Sequence, residues 1–355
     1  MAGNSKRMGL GIVGAGLAAS PHAQSLVELS DQIDVRGVFT RSSESRAALC
    51  AEYGFAEART LETLLDDSAV DALLVLTPPD ARQDIVERAV NAGKHLLVEK
   101  PVERSLQAAR SIVDLCASGQ ITLGVMFQHR FRPASLALKG LIEDGKLGRL
   151  RSASLSVPWW RDQAYYDEGG WKGTQALDGG GAFMNQGIHT IDLLQWLMGP
   201  VRQVSARTAT LAHEMETEDT ACAVLTFKNG ALGVIQGATS TWPGDQATVE
   251  LRGSGGTIVL EDGRIKVWKL ADAGPDEEEE MINLEAAQGS GASDPNAIGY
   301  EMHRRQVVDL VEAIRQNRPP TIQGAEARKS VEIIRAIYHS AATGQPVALP
   351  FEAEA

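Results

Sequence analysis

Lys100 closes an apolar run, residues 96–98, and is flanked by Glu99 and Pro101. That pattern reads as a buried parallel strand with charges at its carboxyl end. Ligands of open α/β sheets bind outside such ends. An ammonium partly withdrawn from water has a lowered pKa and can exchange protons. The plain alternative is an exposed lysine in a turn. A second candidate group lies far along the chain, where Asn185, His189 and Asp192 are spaced by four and three residues. On a helix they share one face. The imidazole of His189 can hydrogen-bond or exchange a proton with a hydroxyl, the amide of Asn185 can orient one, and Asp192 can either hold His189 or pack the helix. Spacing places no third ligand for a metal beside His189 and Asp192, so no metal is expected.

A dinucleotide is the expected cofactor. A short strand, residues 9–13, runs into Gly14-Ala15-Gly16-Leu17-Ala18-Ala19 and then a helix-like segment. This is the glycine fingerprint with alanine in its third slot. Gly14 makes the tight turn, Gly16 admits a pyrophosphate, and Leu17 and Ala18 open the helix whose N-terminus favours that anion. The next strand, 34–39, ends in Thr40-Arg41-Ser42-Ser43 rather than in the acid that usually receives a ribose 2′-hydroxyl. Arginine flanked by hydroxyls suits a 2′-phosphate. NADP is therefore expected over NAD, with Thr40, Arg41 and Ser42 as contacts and Arg46 assisting. If Arg41 only stacks on adenine, NAD remains usable.

The elements that must position these groups alternate. Strands at 71–76, 95–98 and 121–126 are interleaved with helices at 60–66, 80–92 and 105–117, the pattern of a parallel, doubly wound Rossmann sheet. Beyond a helix at 134–144 come strands at 147–157, 201–211, 221–227, 231–239, 246–252, 257–260 and 264–269, with Asn229-Gly230 as a hairpin turn. These predict an α+β second domain with a large, mostly antiparallel open sheet. The expected division is 1–127 for the dinucleotide domain and 128–355 for the substrate and oligomerisation domain. Residues 178–181 form a tight glycine loop, and 184–198 a helix. The acidic run 276–280 and the stretch to 295 read as a solvated loop. Residues 300–315 and 325–343 read as helices packing between the domains.

Five aromatics, Trp159, Trp160, Tyr165, Tyr166 and Trp171, fall in one polar window. Aromatic faces beside hydrogen-bonding groups suit a sugar ring, so Tyr165 and Tyr166 are expected at the substrate. A subunit interface is the third reading of this window, after substrate site and core. The 355-residue chain is 43% hydrophobic, ample for two domains, and carries a net charge of -12. Such acidity argues against nucleic acid or an anionic membrane as partner. Three scattered cysteines and no bilayer-length apolar run point to a cytoplasmic protein.

Gly14-Ala15-Gly16, Thr77-Pro78-Pro79, Glu99-Lys100-Pro101 and the segment from Gly179-Gly180-Gly181 to Asp192 occur in order. Together they resemble the family of glucose–fructose oxidoreductase, inositol dehydrogenase and the rhizopine-catabolism oxidoreductase, over essentially the whole chain. The resemblance implies nicotinamide-dependent oxidation or reduction of a sugar, polyol or related cyclic alcohol. It implies cofactor contacts from Thr77, Pro78, Pro79, Glu99, Lys100, Gln128, Trp160 and Arg161, and substrate contacts from Lys100, Arg130, Asn185 and His189. Lys100, His189 and Asn185 are then the catalytic set, with Lys100 and His189 converging across an interdomain cleft. A homodimer or homotetramer through the second sheet is expected. Many relatives have aspartate at the position of Asn185. An amide cannot take a proton, which shifts acid–base work to Lys100 and His189. Arg82 replaces a frequent histidine and receives no role. The rival activity is an NAD-dependent glycoside hydrolase that oxidises, eliminates and reduces on the same scaffold. A nicotinamide-sensing protein without turnover is a third possibility, which the Lys100 and His189 pair disfavours.

Overall fold

Strands buried along their length build most of the first sheet. In the computed structural model, which describes residues 6–168, 170–284 and 299–352, β1 (Met8–Val13), β2 (Ile33–Phe39), β3 (Ala72–Val75), β4 (His95–Val98) and β5 (Leu123–Val125) pair in parallel in the order β2-β1-β3-β4-β5. Every residue of β1, β3 and β5 is buried. A parallel strand covered on both faces reads in this way as a continuous aliphatic run. The order reverses at β1, with β2 on one side and β3 on the other, so the carboxyl ends of β1 and β3 flank a topological switch point.

The chain divides into two units: Met1–Glu103, Gln107–Met126 and Tyr300–Arg328 form one, and Arg104–Leu106, Phe127–Gly299 and Lys329–Ala355 the other. The late return to the first unit was not expected. Helix Glu301–Gln316 lays Val307, Leu310 and Val311 into the core that also holds Leu10, Leu26, Leu74 and Leu97. Its apolar face therefore completes the first core, where the sequence pattern had suggested packing between domains.

The second unit carries β6 (Leu150–Pro158), β7 (Val201–Ala209), β8 (Thr220–Phe227), β9 (Leu232–Ala238), β10 (Thr248–Gly253), β11 (Gly256–Glu261), β12 (Arg264–Leu270) and β13 (Val347–Ala348), in the order β12-β11-β10-β6-β9-β8-β7-β13. All neighbours are antiparallel except β6 and β9. The mostly antiparallel sheet expected from the sequence is thus present. Ala153, Leu155 and Val157 of β6 and Ala223 and Leu225 of β8 face inward, and helix Ile188–Met198 packs on β6. The period-two alternation sends the other residues outward.

Two local expectations change. Residues 276–280 belong to helix Pro275–Ile282, with proline in its first turn and Asp276, Glu277 and Glu278 beside its positive end. The chain from 285 to 298 lies outside the described residues. The helix expected over 184–198 begins as a π-helical stretch, Ala182–Gly187, before Ile188–Met198 continues as α-helix.

Close packing gives a stability test. A Cβ on Gly9 of β1 would lie 1.6 Å from the Ala69 carbonyl oxygen, whereas one on Gly140, inside helix Pro133–Glu143, would meet nothing within 4 Å. Gly140→Ala is expected to stabilise the fold by about 0.5–1 kcal/mol, and Gly9→Ala to destabilise it by at least about 1–3 kcal/mol. Denaturant titration of both variants checks the opposite signs.

Candidate active site

The carboxyl edge of the first sheet is open at its glycine turn. Gly14 turns with φ +110, and a Cβ there would lie 2.9 Å from the Leu76 carbonyl carbon. At Gly16 a Cβ would meet no protein atom within 4 Å. Gly16, Leu17 and Ala18 are exposed, and helix Ala19–Glu28 begins there with neither a side-chain cap nor an acid in its first turn. Its N–H groups are thus left to an anion. Thr77 Oγ1, past β3, is buried without a hydrogen-bond partner among the described residues. These features fit the diphosphate and ribose of a dinucleotide.

The residues expected at a 2′-phosphate divide. Ser42 Oγ caps helix Ser43–Tyr53 by accepting from Ser45 N at 3.1 Å. Arg46 donates to Glu57 Oε2 at 2.8 Å and to the Thr40 carbonyl at 3.1 Å, so its charge is largely matched. Arg41 is exposed.

Lys100 is set by two buried neighbours. Glu99, 7% exposed, accepts from the Lys100 backbone N–H at 3.0 Å through Oε2 and meets His22 Nε2 at 2.7 Å through Oε1. Glu99 therefore acts from within the protein, holding the lysine backbone. Arg82, 2% exposed, donates to the carbonyls of Thr77, Glu99 and Pro101. It ties the loop after β3, with Pro78 and Pro79, to the backbone on either side of Lys100. The Lys100-Pro101 peptide is cis. Burial lowers the Arg82 pKa to about 10, against the opposing charges of Glu99, Glu103 and Asp80.

Burial works to raise the Glu99 pKa, but the His22 hydrogen bond and the charges of His22, Lys100 and His303 outweigh it and hold the carboxyl below its usual range. His22, Glu99 and His303 also bring ligand atoms within 4.8 Å of one another. The 2.7 Å contact between His22 and Glu99 is a hydrogen-bond length, which favours a proton-linked pair over ligands spread around an ion.

In the second unit, the glycine loop is shaped by close approach. Gly179 has φ +78, and a Cβ on Gly181 would lie 1.9 Å from the Glu218 carbonyl oxygen. The Glu218 carboxylate accepts from Gly181 N and Phe183 N, each at 2.9 Å, and from Tyr338 OH at 2.8 Å. This fixes the start of the π-helical stretch, a device often found where an active site needs a side chain re-aimed. Asn185, on that stretch, donates from Nδ2 to both Asp178 carboxylate oxygens at 3.1 and 3.2 Å. Its own oxygen is thereby turned to a fixed direction.

His189 follows one turn later, 9% exposed. Phe127 meets it edge-on at 5.7 Å and His129 stacks on it at 4.8 Å. Arg132 Nη2 lies 3.0 Å from His129 Nε2 and donates there, which assigns the His129 proton to Nδ1. Asp192, expected either to orient His189 or to pack, takes Arg130 Nε and Nη2 at 2.7 and 2.6 Å with both groups essentially unexposed. Arg130 also lies over Trp196. The guanidinium expected at the substrate is thus engaged within the protein.

Tyr166 is also held within the protein. It is 6% exposed, its hydroxyl bonds Thr239 at 2.7 Å, and its ring packs on His213 and Tyr165. It supports Tyr165 from the core. Tyr165 is half-buried, with Gln186 Nε2 3.3 Å from its hydroxyl. Trp160 meets Trp242 edge-on, and Arg161 donates to the Trp160 carbonyl at 2.6 Å. Gln128, 5% exposed, has a buried Oε1 without a partner among the described residues. It remains suited to a ligand amide or hydroxyl. Sequence reading missed Arg82, His22 and Glu218. Only an arginine next to a proline loop and a histidine in the first helix hinted at two of them.

The Glu99 setting predicts acid sensitivity. The folded carboxyl releases its proton more readily than the unfolded one, so its contribution is present above the ordinary value of 4.5 and lost as pH falls below it. Glu99→Gln should flatten the decline in stability on that acid limb. Chemical denaturation at a series of pH values reads this, and slopes equal to wild type would dismiss the role.

With the geometry in hand, comparison with known proteins is informative. Residues 8–127 match the oxidoreductase family with an NAD-binding Rossmann fold, and residues 135–259 match the GFO/IDH/MocA C-terminal domain. The myo-inositol 2-dehydrogenase of Thermotoga maritima is 26% identical, covering 91% of this chain and 93% of its own. The WlbA dehydrogenase of Bordetella pertussis, solved with NADH and UDP-GlcNAcA, is 30% identical with a TM-score of 0.87, covering 98% of this chain and 100% of its own. A levoglucosan dehydrogenase solved with NADH and levoglucosan shares the fold, with a TM-score of 0.85 at 22% identity over 98% of this chain and 100% of its own. The chain belongs to the GFO/IDH/MocA family of oxidoreductases.

Proposed function

We propose that this oxidoreductase moves a hydride between a nicotinamide dinucleotide and a ring carbon bearing a hydroxyl, on a sugar, polyol or sugar derivative. The observation that carries the proposal is the setting of Lys100, held by Glu99 and Arg82 at the carboxyl edge of the sheet whose switch point is open at Gly16. The inositol dehydrogenase relative, and the WlbA structure with NADH and a sugar nucleotide, support the substrate class. Bound nicotinamide supplies or receives the hydride. Lys100 gives or takes the hydroxyl proton, His189 hydrogen-bonds the same or the adjacent hydroxyl, and Asn185, anchored by Asp178, orients the next.

For the cofactor, Gly14, Gly16, Leu17 and Ala18 take the diphosphate, with Thr77, Pro78 and Pro79 alongside. Gln128, Trp160 and Arg161 of the second unit take the nicotinamide end. We keep NADP as the preferred form. Arg46 is already matched by Glu57, so that preference rests on exposed Arg41 beside Thr40 and Ser42.

A panel of inositols, aldoses, anhydrosugars and sugar nucleotides, offered with each dinucleotide, tests the reaction. Reduction of the cofactor in step with substrate is expected, with kcat/KM higher for NADP. A released leaving group without net cofactor reduction would point instead to the oxidising and eliminating hydrolase. General acid–base catalysis contributes about 10²–10⁴-fold, so Lys100→Met should lose at least that while cofactor affinity holds. Full activity in that variant ends the assignment.

The outward face of the second sheet supports self-association. Val224, Leu232 and Val234 are 52%, 57% and 53% exposed, and Val224 lies directly across from Val234. Bordered on β6 by Ser152 and Ser154, these exposed apolar side chains suit a second copy related by a two-fold axis. Val234→Lys is expected to shift the protein toward monomer in light scattering. Among the described residues, no helix is long and apolar enough to cross a membrane.

A further inference from the structure

His213, in the second unit, stands between two groups that have no proton to offer. Its Nδ1 lies 3.1 Å from Asp219 Oδ2, and its Nε2 lies 2.9 Å from the Arg161 carbonyl oxygen. The His213 and Asp219 side chains are 3% and 0% exposed, so the pair is made inside the protein. A carbonyl only accepts. Asp219 is an acceptor too. The N–H groups of Leu211, Ala212 and His213 reach its carboxylate at 2.9, 2.7 and 3.0 Å, and the Thr220 hydroxyl at 2.9 Å. Burial works to raise the Asp219 pKa, but these donors, Leu211 and Ala212 foremost, outweigh it and hold the carboxyl below its usual range.

A neutral imidazole has one N–H and one lone pair. Either tautomer would leave that lone pair facing an oxygen lone pair, in a buried place where an unmade hydrogen bond is costly. The geometry therefore requires both N–H groups, and the ring is an imidazolium paired with a carboxylate. What it holds is a joint in the backbone. Arg161 donates its N–H to the Thr239 carbonyl at 2.8 Å, and Trp160 bridges Ser240. Just beyond, Asp162 caps helix Gln163–Asp167, which carries Tyr165 and Tyr166. The His213 ring also lies 4.8 Å from the Tyr166 ring and 6.2 Å from that of Trp160, centre to centre. Gln163 clips the next loop residue, accepting from Glu214 N at 2.9 Å and donating to the Glu214 carbonyl at 3.1 Å.

We propose that His213 is a positioning residue for the nicotinamide end of the cofactor. Carrying both ring protons, it ties the Arg161 carbonyl to Asp219 and so sets the backbone from which Trp160 and Arg161 project. The proposal rests on the function above for the ligand that these two residues meet. The doubly protonated ring is a property of the protein alone.

Two measurements test it. Nitrogen NMR of the full-length protein with ¹⁵N-labelled histidine, at pH 7, should show both ring nitrogens of His213 protonated, the signal being assigned by its loss in a variant. Titration calorimetry then compares NADH with ADP-ribose, and NADPH with 2′-phospho-ADP-ribose, each pair differing only in the nicotinamide ring. His213→Phe keeps a ring against Trp160 and Tyr166, and His213→Gln keeps an amide donor that cannot bridge both acceptors. Each should weaken the reduced dinucleotide about tenfold, the worth of one charged hydrogen bond, and leave the ring-less partner unchanged. Thermal melting verifies folding, and if the phenylalanine variant fails to fold, His213→Gln and the wild-type spectrum carry the test. A bare ring nitrogen in wild type, an equal loss for both members of a pair, or no loss for either would each overturn the proposal. If the selective loss is found but no sugar or polyol reduces the cofactor, the reaction assignment fails and the positioning role stands. If turnover is found with a bare nitrogen, the reverse holds.

Discussion

Arg82 is the group on which the reactive edge of the first sheet depends. Parallel strands end in carbonyls that no neighbouring strand satisfies, and the loops that leave them are free to drift. One guanidinium with donors in a fixed fork holds the carbonyls of Thr77, Glu99 and Pro101 together, and so joins the loop after β3 to the backbone around Lys100. Taking a cation out of water costs several kcal/mol after relaxation. That cost is offset by carbonyl dipoles and by the charges of Glu99, Glu103 and Asp80. A lysine there has no planar fork and could not bridge the same three oxygens. The position of the Lys100 backbone is thus a consequence of where a buried charge can be satisfied.

The second unit solves a similar problem with acids. Glu218 gathers two loop N–H groups and a tyrosine hydroxyl, Asp178 takes the Asn185 amide, and Asp192 takes Arg130. Each carboxylate fixes backbone or a side chain that the π-helical stretch would otherwise leave loose. Burial raises the Glu218 pKa while its three donors pull it down. A buried acid kept by donors is sensitive to their loss, because the remaining charge is left uncompensated. Positioning here comes from polar groups with internal partners, and side-chain atoms without one among the described residues, notably Gln128 Oε1 and Gln186 Oε1, become the ones available to a ligand.

Much of this was legible in the sequence, for identifiable reasons. Strands such as 72–75 declared themselves because burial on both faces forces a continuous aliphatic run. The Asn229-Gly230 turn and the alternation along β8 and β9 did so through turn chemistry and period two. Gly14 was legible because its turn, with φ +110 and Leu76 close by, requires glycine. What escaped was tertiary. Nothing local tells that the guanidinium of Arg130 goes to Asp192, that Tyr166 turns its hydroxyl to Thr239, or that helix Glu301–Gln316 returns to complete the first core. The acidic run 276–280 misled because its charge was read as solvation, when the same acids at a helix N-terminus stabilise it.

Asn185 shows how the parts constrain one another. An aspartate at this place next to Asp178 would put two acids within about 3 Å, and one of them would hold a proton. The amide removes that conflict. It donates to both oxygens of Asp178, a group that acts electrostatically on Lys172. The amide at 185 thereby holds its own oxygen in place without drawing a second acid into the buried cluster.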